Sequence, residues 1–318
     1  YNKINVKSII EIIQKDENQQ IKKEASKIIA KIAMKDPRAI KPEISTILQS
    51  FNEQQPTLKI AYSRSLLEIA KDAPDIIPID SIINFFSDQD SFIRESGAKI
   101  LGYIGFKAPN DALTILLEQG LKDEEWIVRE ASIISLGKVI EHIENKELII
   151  SNLISLLDDD NVWVQRSVMN ILSNIKNIKA SDIPFEKIIK NLNNSDPKVR
   201  EASAGLIKIY GYHNIDRIFE NILSLLEDES ENVRKSMINS LVDIIQKIGL
   251  SEILSKLLKN LSDEGSLELQ RSIATILGRT TRYEDDKIKK RVISLLKIRC
   301  EMSQDPIICE NLHKIRES

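Results

Sequence analysis

Asp88-Gln89-Asp90-Ser91-Phe92-Ile93-Arg94, closed by Leu101-Gly102, returns 35 residues later as Asp123-Glu124-Glu125-Trp126-Ile127-Val128-Arg129, closed by Leu136-Gly137. Extended in both directions, the register fills the chain. With the basic residue as position zero, the series runs Lys22, Lys59, Arg94, Arg129, Gln165, Arg200, Arg234, Gln270 and Cys309, at intervals of 34 to 39 residues. A period of that length marks a chain made by stacking one helical hairpin repeatedly.

Position −1 is aliphatic every time: Ile21, Leu58, Ile93, Val128, Val164, Val199, Val233, Leu269 and Ile308. Position +7 is Leu or Ile from Ile29 to Leu277 and fails only at Arg316, while +10 is apolar from Ile32 to Ile244 before weakening at Thr280. Offsets of −1, +3, +6/+7 and +10 are one stripe of an α-helix, here the second helix of each hairpin. Shorter apolar segments upstream, such as Ile44–Phe51 and Leu148–Leu157, supply the first. Position +8 is small at Ala30, Gly102, Gly137, Ser173 and Gly278. Gly costs a helix about 1 kcal/mol against Ala, so its return at one register predicts a close helix crossing. All nine prolines fall in inferred loops or first turns, where a missing amide hydrogen matters least.

The reading is an all-α solenoid of about nine hairpins in a single domain, residues 1–318. Its approximate repeats are 1–36, 37–73, 74–107, 108–144, 145–180, 181–213, 214–249, 250–282 and 283–318. Seven carry an acid at −6: Asp16, Glu53, Asp88, Asp123, Asp159, Asp228 and Glu264; Asp196 and Asp305 stand at −4 in the other two. An acid in the turn before a helix caps free amides and complements the helix dipole. It also reaches the basic residue of a neighbouring repeat, as a rung of a ladder. Exposed rungs are worth ~0.2–1 kcal/mol each, so cohesion falls to the aliphatic stripe. Gln165-Arg166 and Gln270-Arg271 displace the base by one position and put the ladder there in doubt.

The pattern Asp-x-x-x-x-(Val/Ile)-Arg followed by Leu-Gly resembles HEAT repeats, found in protein phosphatase scaffold subunits, coat adaptors, nuclear import receptors and condensin subunits. The resemblance covers nearly the whole chain. It implies a right-handed α-α superhelix with second helices along the concave side. Carried over, Asp88, Arg94, Asp123, Arg129, Asp228 and Arg234 are framework. In such a stack, positions +1, +5 and +9 of the second helices face outward. From that row we select Tyr103, Ile134, Lys138, Asn170, Asn174, Ile209, Asn239, Arg271 and Arg279 as candidate partner contacts. Apolar and amide groups among charges suit a protein-binding patch. The alternative is that Ile134 and Ile209 tilt into the core and the asparagines are merely solvated.

Trp126 and Trp163 read as seals of the hairpin turn, or as exposed indoles that bind. Basic ends (Lys22, Lys23, Lys27 and Lys31; Arg271, Arg279, Arg282, Lys287, Lys289, Lys290 and Arg291) suit phosphate or acidic-lipid contact, or solvated faces with interleaved acids. Net charge is −3, which argues against a nucleic-acid reader. Cys300 and Cys309 form neither a disulfide framework nor a zinc set. They read as small packed thiols, in keeping with a reducing cytoplasm. His142, His213 and His313 belong to no His-Glu pair, so the iron-binding HEAT hydroxylases are not matched. Asp158-Asp159-Asp160 reads as capping. The expectation is a non-enzymatic scaffold with protein partners, no cofactor or metal and no membrane insertion, any membrane contact being peripheral and through partners. The rivals are a condensin-like or glycosylase-like nucleic-acid binder and a HEAT-fold lyase.

Overall fold

The computed structural model describes residues 5–51, 56–176, 178–212, 215–262 and 265–317. Glu53, Glu264, His213 and Ser318 lie outside these, as does the side chain of Leu58. Contacts gather the chain into two compact units, Tyr1–Leu156 and Leu157–Ser318. Among the described residues every regular element is helical.

The N-terminal unit contains α1 (Val6–Lys15), α2 (Gln19–Lys35), α3 (Ile44–Phe51), α4 (Pro56–Asp72), α5 (Ser91–Ile104), α6 (Pro109–Ile115), α7 (Trp126–Val139) and α8 (Glu147–Ser155). The third repeat's first helix is 3-10 over Ile79–Ser87, and α6 runs on into a π-turn over Leu116–Gly120. The C-terminal unit contains α9 (Val162–Asn174), α10 (Phe185–Leu192), α11 (Pro197–Leu206), α12 (Lys208–Gly211), α13 (Ile215–Leu226), α14 (Glu231–Ile248), α15 (Leu254–Ser262), α16 (Leu267–Thr280), α17 (Asp286–Ser303) and α18 (Pro306–Arg316).

Second helices pack on second helices: α2 on α4, α4 on α5 and α5 on α7 in the first unit, and α9, α11, α14, α16 and α18 in succession in the second. The predicted stripe makes this seam. Every +7 side chain from Ile29 to Leu277 is buried, as is every described −1 residue from Ile93 to Ile308. Two of the small +8 residues, Gly102 and Gly278, are close crossings. A Cβ on Gly102 would lie 2.6 Å from Ser135 Oγ, and one on Gly278 would meet the Asn311 amide. The prolines open helices or sit in caps and short 3-10 segments; Pro42 is inside one of the latter.

Four expectations are corrected. Ile21, at −1 of the first repeat, is 45% exposed. Caps come from −4 rather than −6: Asn18, Asp90, Asn161, Asp196, Ser266 and Asp305 accept the first free amides. The −6 side chain instead accepts the backbone amide of −4, as in Asp88 to Asp90 at 3.0 Å and Asp228 to Ser230 at 2.8 Å, which holds the turn tight. Cys300 and Cys309 are joined as a disulfide across α17 and α18. Two antiparallel helices joined by the Gln304-Asp305 turn bring residues nine apart within reach, with Cα atoms 5.0 Å apart. The thiol argument for a reducing compartment therefore falls away.

Candidate functional site

The ladder positions everything on the second-helix face. Arg94 gives Nε and Nη2 to the two oxygens of Asp123 at 2.7 and 2.9 Å, while its Nη1 donates to the carbonyls of Asp88 and Gln89. Arg200 repeats this on Asp228 and on the carbonyls of Asn194 and Ser195. Lys59 reaches Asp88 at 2.8 Å, Arg129 donates to the carbonyls of Asp123 and Glu124, and Arg234 meets Glu268 at 3.2 Å. The rung from Arg94 is not exposed: the Arg94 and Asp123 side chains are 8% and 7% accessible. A buried, bidentate pair of this kind is costly to halve, unlike the surface pair anticipated. The Asp123 bond raises the Arg94 pKa, and the Asp228 bond that of Arg200. Burial pushes the Asp228 carboxyl up, but the Arg200 guanidinium, the Ser230 amide and the Arg234 charge outweigh it and hold it below the ordinary value.

Both displaced repeats keep the turn contacts through the glutamine, and the eighth also keeps its rung. Gln165 and Gln270 donate to the turn carbonyls of Asp159 and Gly265. Arg271, one position on, takes the rung, with Nε and Nη2 on Asp305 Oδ2 at 2.9 and 2.8 Å. Asp305 stands at −4, so it caps α18 through Oδ1 and holds the rung through Oδ2. The doubt about this rung is thereby resolved. Arg271 is also removed from the free partner contacts, because Asp305 and Glu268 both hold it.

Between α14 and α16 lies an open groove of about 290 Å³. It gathers three of the candidates: Asn239, Arg271 and Arg279. Arg279 Nη1 donates to Asn239 Oδ1 at 2.7 Å, linking the +9 position of one helix to +5 of its neighbour. Buried Ile238 and exposed Ile307 add apolar surface. Lys235 is paired with Glu231, which lowers the Glu231 pKa. Ile307 was not selected because it sits at −2, in the first turn of α18, outside the row considered.

The other candidates stand apart from this groove. In the N-terminal unit Lys138 Nζ lies 3.6 Å from the centre of the half-buried Tyr103 ring, a cation–π pair. Ile134, on the same helix as Lys138, is exposed. Asn170 and Asn174 are exposed on α9, where the Asn174 amide folds back onto the Asn170 carbonyl at 2.7 Å. Ile209 is only 5% exposed and is withdrawn. The helix breaks between α11 and α12 at Ile207, whose carbonyl accepts from both Tyr210 and Gly211, so the register beyond +7 turns inward. Trp163 does not seal a turn; it is 49% exposed, with Arg166 stacked 4.5 Å from the ring centre. Asp158 is not a cap either, since Lys187 and Lys190 both bind it at 2.7 Å and lower its pKa. Among the described residues no cluster of His, Cys, Asp and Glu suits a metal, and no helix is long and apolar enough to cross a membrane.

Residues 92–207 match the family model described as non-SMC mitotic condensation complex subunit 1, Cnd1. No curated protein sequence matches the chain. Among solved structures, the Escherichia coli protein YibA is similar at TM-score 0.54 and 22% identity, with 86% of this chain and 92% of that one covered. The karyopherin Kap121p, bound to the extreme C-terminus of the protein phosphatase Cdc14p, gives 0.64 and 14%, with 98% and 37% covered. Yeast importin-beta, Kap95p, gives 0.60 and 14%, with 98% and 46% covered. The chain spans less than half the length of either karyopherin. The repeat, the ladder and these folds together give the chain the HEAT-repeat fold, an all-α solenoid.

Proposed function

We propose that the chain is a non-enzymatic interaction scaffold, and that the groove between α14 and α16 holds a segment of a partner protein through an acidic group. Arg279 carries the reading. It is exposed, bonded to the neutral Asn239 amide, and paired with no carboxylate among the described residues. The groove's other cations, Arg234, Lys235 and Arg271, all have acidic partners. An incoming carboxylate therefore meets an uncompensated guanidinium next to the apolar surface of Ile307. Kap121p, similar in fold, offers a precedent in being bound to the extreme C-terminus of another protein. The test is calorimetry with a partner recovered by affinity capture. Arg279→Glu should weaken binding at least ~tenfold, as truncation of a complementary charge does, and Ile134→Asp in the other unit should not. Unchanged affinity for Arg279→Glu would refute the groove.

A second reading is favoured by the Cnd1 match over residues 92–207: a condensation-type subunit that contacts DNA. It requires duplex binding that falls steeply with salt, and the net charge of −3 counts against it. Retention on a duplex at physiological salt would reverse the order of the two readings.

A further inference from the structure

From the third repeat to the eighth, the residue at position zero fastens the turn that precedes its own helix. Arg94, Arg129, Arg200 and Arg234 each donate Nη1 to the carbonyls at −6 and −5. Gln165 and Gln270 do the same work with one amide bond each, to Asp159 and Gly265. In the ninth repeat position zero is Cys309, which has no such donor, and the turn is closed by its bond to Cys300 instead. Among these clasps it alone can be opened by electrons.

The turn it closes serves two neighbours at once. Asp305, 4% exposed, caps Ile307 and Ile308 through Oδ1 and holds Arg271 through Oδ2. Ile307 stands in the wall of the groove that contains Arg279. Gln304, just before Asp305, has φ +53°, in the left-handed region that residues with a Cβ disfavour. The turn is held against that preference. Both cysteines are half-buried rather than sealed in the core, within reach of a small thiol.

We infer that the Cys300–Cys309 bond is a redox-operated clasp on this turn, and that opening it loosens Asp305 and Ile307 and so lowers the groove's affinity for its partner. The consequence for binding rests on the groove reading above. The reductant is a dithiol. Its thiolate attacks one sulfur, forming a mixed disulfide and releasing the other cysteine; its second thiol then displaces the cysteine still attached. The dithiol ends as a disulfide, and its two electrons and two protons end on Cys300 and Cys309. A thiol is a weak donor, so reduced Cys309 does not take over the carbonyls that glutamine or arginine holds elsewhere.

The test is hydrogen exchange, read by mass spectrometry, on the intact chain before and after dithiothreitol. Amides in 304–309 should exchange at least ~tenfold faster after reduction, as a locally opening turn does, while 88–94, clasped by Arg94, should not change. Cys300→Ser with Cys309→Ser should exchange fast in either state. Cys300→Ser with Cys309→Gln should exchange slowly in both, because glutamine clasps the fifth and eighth turns; circular dichroism of both variants should match the wild type. A partner captured for the groove should bind the reduced chain several-fold more weakly. Exchange indifferent to dithiothreitol, or not slowed again by the glutamine, overturns the clasp. Faster exchange with unchanged affinity for a partner that Arg279→Glu releases overturns its link to the groove. A partner indifferent to Arg279→Glu refutes the groove alone, and the exchange rates still decide the clasp.

Discussion

Arg94 and Arg271 close rungs in different units by different means. Arg94 does two jobs with one guanidinium, holding the carbonyls of its own turn and the Asp123 carboxylate of the next. In the eighth repeat the jobs are split: Gln270 holds the turn and Arg271 reaches forward. The acid has moved as well, from −6 to −4, and so meets the displaced base. What the stack fixes is where charge must stand in space, and the sequence satisfies it by more than one spelling.

The largest expected effect follows from that concentration of roles. Arg94→Ala leaves a buried Asp123 carboxylate and two turn carbonyls without their donor, at a cost of about 3–5 kcal/mol, read as a lower urea midpoint. Arg271→Ala and Gln270→Ala should each cost less, about 1–3 kcal/mol, and their double variant should approach Arg94→Ala. A Gln270→Ala as damaging as Arg94→Ala would disprove the division of labour.

A smaller effect comes from acid. Burial pushes the Asp305 carboxyl up, but the Arg271 bond, the amides of Ile308 and Ile307 and the Arg271 charge hold it below the ordinary value, as with Asp228. A carboxyl lowered on folding contributes fully above its unfolded pKa, about 3.9. That contribution is lost as pH falls from there through the folded value. The urea midpoint should therefore decline below about pH 4, and Asp305→Asn should flatten part of that slope. A slope unchanged in Asp305→Asn would remove this rung from the account.

Helix spacing gives the smallest pair. Gly102→Ala drives a Cβ onto Ser135 and should cost about 1–3 kcal/mol by overpacking. Gly205→Ala meets nothing within 4 Å and should stabilise by about 0.5–1 kcal/mol, both measured by thermal melts. Equal effects would mean that close approach does not set the joint.

The fold was readable because a buried stripe imposes the same demand on every repeat, and Ile93, Val128 and Val199 answer it alike. The rung partners were readable from their spacing, but not their depth, since burial depends on how the turn closes around Asp123. The candidate site was read less well. Ile209 follows a helix break that no proline or cap announces, and Ile307 enters the groove from a helix start. Arg279 and Asn239 meet because their helices keep register to +9. Ile21 looks identical in sequence to its buried counterparts; only the neighbour covering it differs. The disulfide was missed because two cysteines nine apart are ambiguous until the turn between α17 and α18 exists.

That cross-link bears on how the array comes apart. Where repeats lean only on their neighbours, helices can detach a few at a time. With Cys300 tied to Cys309, α18 cannot leave without drawing the tail of α17 after it. Under tension applied at the C-terminus, residues 301–308 would yield no length at all.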